Sequence, residues 1–239
     1  MKYLRLYVLA FLFIWATNSA NGQLTFSPGD TALHPGYIKD RNVFQKLVWM
    51  DSTGATTHTA ILNLITKVDT IKHTVTYLQI RNDGKRDSSV STYPGLEPVY
   101  LSTKGAQFME TYDYRKKGVV GIHTEKGGKV TYDGELALTT KYFESFLTDV
   151  VMTALPVETM KPLQYFFYNT NLKQLTAYEI IKINADVLLG LNGNNTPIYI
   201  LTVRSGKNEF LVYMDKKTHQ TLKTAFVAEN GSSFVKELL

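Results

Sequence analysis

The sequence predicts a mainly β protein: one large curved antiparallel sheet, an open or half barrel, with one central amphipathic helix packed on its concave face. Short segments rich in Val, Ile, Thr, Tyr and Phe recur between turn residues, roughly every eight to twelve positions. One segment near the middle of the chain instead spaces its apolar residues by three and four, as an amphipathic helix does. These two patterns together favour a large sheet with a single helix lying on it.

The composition is globular and excludes several classes of site. The chain has 239 residues, of which 44 % are hydrophobic and 12 % aromatic, and it contains no cysteine. Without cysteine there are no disulfides, thiolate zinc sites, iron–sulfur clusters or cysteine nucleophiles. The formal net charge is +5, which includes the charges of Lys2 and Arg5. Without these two charges the net charge is about +3, which is too small to indicate a nucleic-acid partner.

Residues 1–22 have the three parts of a secretory signal peptide. Lys2 and Arg5 precede ten apolar residues at 6–15, and a small, polar stretch follows at 16–22. Cleavage is expected before Gln23, with cleavage after Ala20 as the alternative. The apolar run is too short for a membrane anchor, because a span takes about 20 residues. We therefore expect an exported protein, periplasmic or extracellular, whose residues 23–239 form a single β-rich domain without a transmembrane segment.

The pattern along the exported part predicts an irregular lead-in at 23–40, followed by many strands. Two of them, at 163–168 and 198–201, carry apolar residues on both faces, so each face needs a cover from a helix, a second sheet or a ligand. Residues 71–77 instead alternate, as in a strand with one wet face. The predicted strands are Val43–Met50, Thr57–Val68, Ile71–Arg81, Ser88–Tyr93, Val99–Thr103, Ala106–Tyr114, Val119–Glu125, Lys129–Asp133, Leu163–Tyr168, Leu175–Leu189, Pro197–Val203, Glu209–Met214, Leu222–Glu229 and Ser233–Leu238.

Turn residues that tolerate a positive φ separate many of these strands, as tight hairpins require. A longer polar turn of the same kind is predicted at 192–195. The short turn signals are Asn82-Asp83-Gly84, Gly127-Gly128, Asp133-Gly134, Ser205-Gly206 and Asn230-Gly231.

The predicted helix covers Thr140–Leu155. Thr140 is a plausible N-cap, and Pro156 marks the end, because proline cannot continue a helix. Charged and hydroxyl side chains occupy the other side, so the apolar stripe is expected to lie on the sheet. That stripe consists of Phe143, Phe146, Leu147, Val150, Val151 and Ala154.

No motif in the chain carries a recognisable catalytic or metal-binding chemistry, so we predict no catalytic residue, no metal and no cofactor. The five histidines have none of the spacings used by zinc sites. There is no G-x-S-x-G elbow, and no glycine-rich loop is followed by Lys-Ser/Thr. A glycan hydrolase with paired carboxylates, roughly 5 to 9.5 Å apart, is a distant alternative. The acids of the middle third are Asp113, Glu125, Asp133, Glu135, Glu144 and Asp149, but spacing alone pairs none of them.

Four segments of the last two thirds carry a resemblance to a family. They are 93–99 (YPGLEPV), the hairpin 129–134 (KVTYDG), the helix at 143–156, and 210–218 (FLVYMDKKT) with the closing residues 222–223 and 231–236. The chain thereby resembles the exported family called domain of unknown function 3108, and more loosely the periplasmic lipoprotein-carrier (LolA-like) folds. The resemblance implies an unclosed barrel whose helix caps an apolar hollow, which in the carriers holds acyl chains. Residues 30–32, 51–53 and 69–71 also resemble O-glycosylation acceptor sites of exported Bacteroidetes proteins.

The first functional hypothesis is therefore an exported, non-catalytic protein that binds a lipid or another apolar ligand between sheet and helix. An alternative is a structural or assembly partner of an envelope protein, with a fully packed core and a functional edge strand or loop surface. The same aromatic residues fit either hypothesis, since they can line a hollow or fill an ordinary core. The candidate lining residues are Phe143, Phe146, Val150, Tyr165, Phe167, Tyr199 and Phe210.

Overall fold

The structure of the protein, a computed structural model, describes residues 23–114, 118–125, 128, 130–137, 140–170, 172–189 and 195–239. The predicted signal peptide lies outside these residues. All sixteen strands of the described chain belong to one sheet. They are β1 (Leu24–Phe26), β2 (Arg41–Met50), β3 (Thr56–Asp69), β4 (Thr74–Arg81), β5 (Arg86–Thr92), β6 (Pro98–Lys104), β7 (Phe108–Asp113), β8 (Gly118–Glu125), β9 (Val130–Ala137), β10 (Phe143–Glu144), β11 (Leu163–Asn169), β12 (Gln174–Leu189), β13 (Asn195–Ser205), β14 (Asn208–Asp215), β15 (Thr221–Val227) and β16 (Ser233–Leu238).

The sheet is an antiparallel meander whose two ends are not joined. Consecutive strands pair antiparallel from β2 to β9 and from β11 to β16, and β16 pairs antiparallel with β2. At one end, β1 and β10 both pair in parallel with β11, and β9 forms the other end. Within the described residues no ladder connects the two ends. The predicted fold class, one large unclosed sheet with a single helix, is confirmed.

The sheet is curved, because one short helix contacts strands that lie far apart in it. The Tyr77 hydroxyl on β4 lies 3.2 Å from the Asp149 carboxylate, and the Tyr165 hydroxyl on β11 lies 2.9 Å from the Met152 sulfur. Eight strand-to-strand steps separate β11 from β4. In a flat sheet these steps would amount to roughly 38 Å, at about 4.8 Å each. A helix can contact both strands only if the sheet bends around it.

The helix is shorter than the predicted Thr140–Leu155. A 3-10 turn at Ser145–Leu147 leads into α1, at Thr148–Ala154. The preceding Phe143 and Glu144 form β10 instead. The Glu144 carboxylate accepts a hydrogen bond of 2.9 Å from the Phe146 backbone N–H, and so takes the capping role predicted for Thr140. The predicted end before Pro156 is correct.

Helix α1 is largely buried. Its residues 150–154 are all buried. The lead-in segment contacts the end of the helix, where the His34 backbone N–H donates to the Ala154 carbonyl at 2.7 Å, and Leu33 and Ile38 join the main core. The half-buried Thr148 and Asp149 at the start of the helix are its more polar part. The segment predicted as an irregular lead-in thus packs against the end of the helix, and it contributes strand β1.

Most predicted turns are confirmed, and one is wrong. Gly84, Gly128, Gly206 and Gly231 have the positive φ that their turns require. At Asp133-Gly134, however, β9 continues, and the pairing shifts by one residue opposite β8, which is a β-bulge. Glycine suits a bulge as well as a turn, so the dipeptide alone did not distinguish them. The turn predicted at 192–195 lies largely outside the described residues.

The strand predicted at Ile71–Arg81 begins three residues later in the structure. Strand β4 begins at Thr74, and Ile71 is 90 % exposed in the turn before it. The side chain of Asp69 accepts hydrogen bonds from the backbone N–H groups of Ile71 and Lys72, which fixes this turn. The local hydrogen bonds of an aspartate thus outweigh the β propensity of the isoleucine.

Candidate functional site

A cavity of about 510 Å³ lies between α1 and strands β12 to β16. We call it the main cavity. Its apolar wall consists of Met152, Tyr178, Val212, Phe210, Phe226 and Phe234. The exposed Asn208 and the half-buried Ser205, at the β13–β14 hairpin, mark the end of the cavity that reaches solvent. The space is therefore apolar and concave, with a polar rim, which is typical of small-molecule sites.

An ion pair forms one side of the main cavity. The Lys236 ammonium on β16 lies 3.0 Å and 2.9 Å from the two carboxylate oxygens of Asp149 on α1. The Tyr77 hydroxyl donates to the same carboxylate at 3.2 Å. Burial, and then the Asp149 charge, raise the pKa of Tyr77 well above its usual value, so the phenol remains a neutral donor. Both charged side chains are about one fifth exposed, so solvent still reaches the pair.

A second, smaller space of about 40 Å³ adjoins the ion pair on its other side. We call it the polar pocket. Asp149 and Thr221 line both spaces. Its other polar lining residues include Arg41, Gln45 and Thr66. The two spaces therefore lie next to each other, on either side of Asp149 and Thr221.

Two buried polar atoms of the polar pocket have no hydrogen-bond partner among the described residues. They are the hydroxyl oxygen of Thr221 and the side-chain carbonyl oxygen of Gln45, on side chains that are 4 % and 3 % exposed. Leaving such a group unpaired costs about 1–3 kcal/mol. Two side chains that line this pocket thus carry buried polar atoms without a partner among the described residues.

The structure places the seven predicted lining residues in three environments. Phe210 lines the main cavity, and Val150 lines the polar pocket. Phe143, Tyr165 and Phe167 are fully buried and pack against one another, with ring centroids 5.3 to 6.5 Å apart. The remaining two are partly buried: Phe146 packs in a second hydrophobic cluster, and Tyr199 packs against the main core and His219. Their role in binding a ligand stays a prediction.

Of the seven predicted lining residues, only Phe210 belongs to the wall of the main cavity. Phe234 and Lys236 lie two residues apart on β16, as do Phe210 and Val212 on β14, so each pair shares a face. The two-residue period of these strands was the signal that the sequence offered for the cavity wall. It shows which residues share a face, but it does not show which face meets the helix.

One pair of acids interacts in the interior, and it does not form a cleft. Glu144 is fully buried and Asp87 is 1 % exposed, and neither lines the main cavity or the polar pocket. Burial raises the pKa of both carboxyls, and that of Glu144 reaches about 7. Hydrogen bonds from the Phe146 backbone N–H and from the Ser145 hydroxyl oppose this rise, whereas the Asp87 charge adds to it. Without a path to solvent, this pair is poorly placed to act on a glycan.

The comparisons with known proteins indicate a fold and no activity. The chain is similar to a beta-barrel-like protein of domain of unknown function DUF1849 from Brucella abortus, with a TM-score of 0.52 and 5 % identity over 84 % of this chain and 96 % of that chain. MucB in complex with MucA(peri) matches 83 % of this chain and 89 % of that chain at 11 % identity, but the TM-score of 0.18 is too low to indicate a shared fold. No protein-family model and no curated protein matches the chain.

The match to the DUF1849 protein supports a barrel-like architecture, and membership of the domain of unknown function 3108 family stays a prediction. That match indicates no catalytic family. Among the described residues, no group of three or more His, Asp or Glu side chains could hold a metal ion. None of the helices in that part of the chain is both long and apolar enough to cross a bilayer.

Proposed function

We propose that this protein is an exported, non-catalytic binding protein that holds a lipid or another apolar ligand in the main cavity. The cavity itself carries the proposal. Its volume of about 510 Å³ falls within the range of small-molecule sites, about 300–1,000 Å³. Four aromatic rings line it, and burial of apolar ligand surface contributes about 25 cal/mol per Å².

Export is part of the same proposal. It rests on the basic, apolar and small-polar order of residues 1–22, which is typical of a secretory signal peptide. A binding protein outside the cytoplasm that holds an apolar molecule would shield it from water during transfer in the cell envelope. The periplasm and the extracellular space are both consistent with a chain that lacks cysteine.

A structural or assembly partner is the alternative function, and one observation favours it. The end of β12 presents three consecutive exposed apolar side chains, Val187, Leu188 and Leu189. Exposed apolar patches can mark protein–protein contacts. A packed core would suit this role, whereas the main cavity favours ligand binding.

Native mass spectrometry tests the proposal directly. The mature protein is purified without detergent from its own host or a relative, and the same sample is extracted with organic solvent. A bound mass of lipid size is expected, and the extract identifies its class. A clean apo mass that does not shift when 1-dodecanol is added would contradict the proposal and favour the assembly partner.

A Val212→Trp variant is expected to block the main cavity. Val212 is a buried wall residue, and the larger indole would occupy the space that the ligand needs. Displacement of an environment-sensitive fluorescent probe by 1-dodecanol measures the loss, which should be at least about tenfold in affinity. The matched control is Val227→Trp on β15, where the valine is exposed and lies outside the cavity wall. Equal binding by the two variants would place the ligand elsewhere.

A further inference from the structure

We infer that the polar pocket is a head-group subsite, and that the ligand is a single-chain amphiphile with an anionic head of carboxylate size. This inference rests on the proposed function, because it names the chemical class of the molecule in the main cavity. Asp149 and Thr221 border both spaces. An alkyl chain lying in the main cavity can therefore end at the polar pocket.

Positive charge dominates this junction. Lys39 and Arg41 line the polar pocket and Lys236 lines the main cavity, whereas Asp149 is the single carboxylate in either lining. Asp215 also acts electrostatically on Arg41, from outside both linings. Complementary charge at a half-buried site favours an anion over a neutral or cationic head.

The cations keep donors for a ligand. The Arg41 guanidinium donates through Nη2 to the carbonyls of Tyr37 and Thr218, at 3.3 Å and 2.9 Å, and neither acceptor carries a charge. Guanidinium has five N–H donors, so others remain. The Lys236 ammonium has three N–H donors, and the two carboxylate oxygens of Asp149 accept from at most two of them. An incoming carboxylate can accept the third without breaking the ion pair.

Uncharged donors complete the subsite. The unpartnered Thr221 hydroxyl borders both spaces and can donate to a head-group oxygen. The Gln45 side chain, whose carbonyl oxygen is also unpartnered, can present its amide N–H groups after rotation about its terminal bond. An anionic head would thus give the Thr221 hydroxyl the acceptor that it lacks among the described residues.

The volumes limit the ligand to one chain and a small head. A cavity needs a volume of about 10–15 Å³ to hold one water molecule. The polar pocket of about 40 Å³ therefore accommodates roughly three non-hydrogen atoms. A carboxylate meets this limit, and a glycerophosphate does not. A cavity of about 150 Å³ holds benzene, so the main cavity of about 510 Å³ holds an alkyl chain of up to roughly twenty carbons.

Three twelve-carbon probes with different heads test the inference. Dodecanoate, 1-dodecanol and dodecyltrimethylammonium, each below its micelle concentration, are titrated against the delipidated mature protein by displacement of a fluorescent probe. We expect dodecanoate to bind about tenfold more tightly than dodecanol, as one added charge-assisted hydrogen bond implies. The trimethylammonium compound should bind most weakly.

An Arg41→Gln variant removes the guanidinium that lines the polar pocket and leaves an uncharged side chain in its place. The ratio of the dodecanol to the dodecanoate dissociation constant should fall toward one. The control, Lys223→Met on β15, removes a lysine that lies over the Tyr213 ring, outside both spaces, and should keep the ratio. If the Arg41→Gln variant does not fold, the wild-type series alone decides.

The outcomes separate the two proposals. If none of the three probes binds, the proposed function is wrong and this inference is wrong with it. If dodecanol binds as tightly as dodecanoate, the protein binds apolar ligands but the polar pocket is not an anionic subsite. Preference for the trimethylammonium head would assign the anchoring role to Asp149 and overturn the inference.

Discussion

A Phe143→Ala variant is expected to lose about 3–5 kcal/mol of its free energy of unfolding. Phe143 is fully buried on β10, with ring centroids 6.5 Å and 6.1 Å from Tyr165 and Phe167. Deleting this ring leaves a void in a close-packed cluster, where neighbours relax only partly. Denaturant unfolding followed by circular dichroism measures the loss. A cost below about 1 kcal/mol would show that the site is loosely packed.

Phe210→Ala is the matched control. This side chain is partly buried and already borders the main cavity, so its removal enlarges an existing space. We expect less than half of the stability loss of Phe143→Ala, but a clearly weaker binding of dodecanol. Phe143→Ala should keep the affinity of the molecules that remain folded. The reverse pattern would identify Phe143 as a ligand contact and Phe210 as core.

Because the pKa of Glu144 is raised in the folded protein, the wild-type protein is expected to become less stable as the pH rises. Burial raises the pKa of this carboxyl from 4.5 to about 7 in the folded protein. Between these values the unfolded chain has released its proton while the folded chain still holds it. The unfolded state therefore binds fewer protons, and the free energy of unfolding falls with pH. At about 1.36 kcal/mol per pKa unit, the loss is about 3 kcal/mol.

Glu144→Gln should remove most of this pH dependence. The amide oxygen can still accept from the Phe146 backbone N–H, as the carboxylate does at 2.9 Å, and the amide carries no charge to desolvate. Unfolding midpoints from pH 4 to pH 8 should fall for the wild type and stay nearly level for the variant. The exposed Glu229 provides the control, Glu229→Gln, which should follow the wild type. Parallel curves for wild type and Glu144→Gln would show that the buried carboxyl is not the cause.

The strands could be predicted because their signals are local. Strand β3 buries every second residue, Ala60, Leu62, Leu64 and Thr66, which is the alternation expected of one covered face. The two strands that were missed, β1 and β10, have only three and two residues. Each forms by pairing with β11, which lies far along the chain from β1, so neither has enough residues for a pattern of its own.

The helix was predicted in the right place and with the wrong length for a related reason. The apolar spacing from Phe143 onward fits a helix. In the folded protein, Phe143 gains pairing with Phe167 on β11, and the Glu144 side chain caps the turn that follows. Pairing between β10 and β11 thus takes the place of the first turns of the predicted helix, because intrinsic helix propensity is a weak preference.

The sequence by itself determined a mainly β chain, most of the strands and hairpins, and a helix that ends before Pro156, because periodicity and turn chemistry depend on near neighbours. Only the tertiary structure decided which inward-facing side chains pack tightly and which border a cavity. The site depends on Asp149 meeting Tyr77 and Lys236, which are 72 and 87 residues away in the chain. Such contacts follow from how far the sheet curves around the helix, and the curvature is the sum of small twists over many strands.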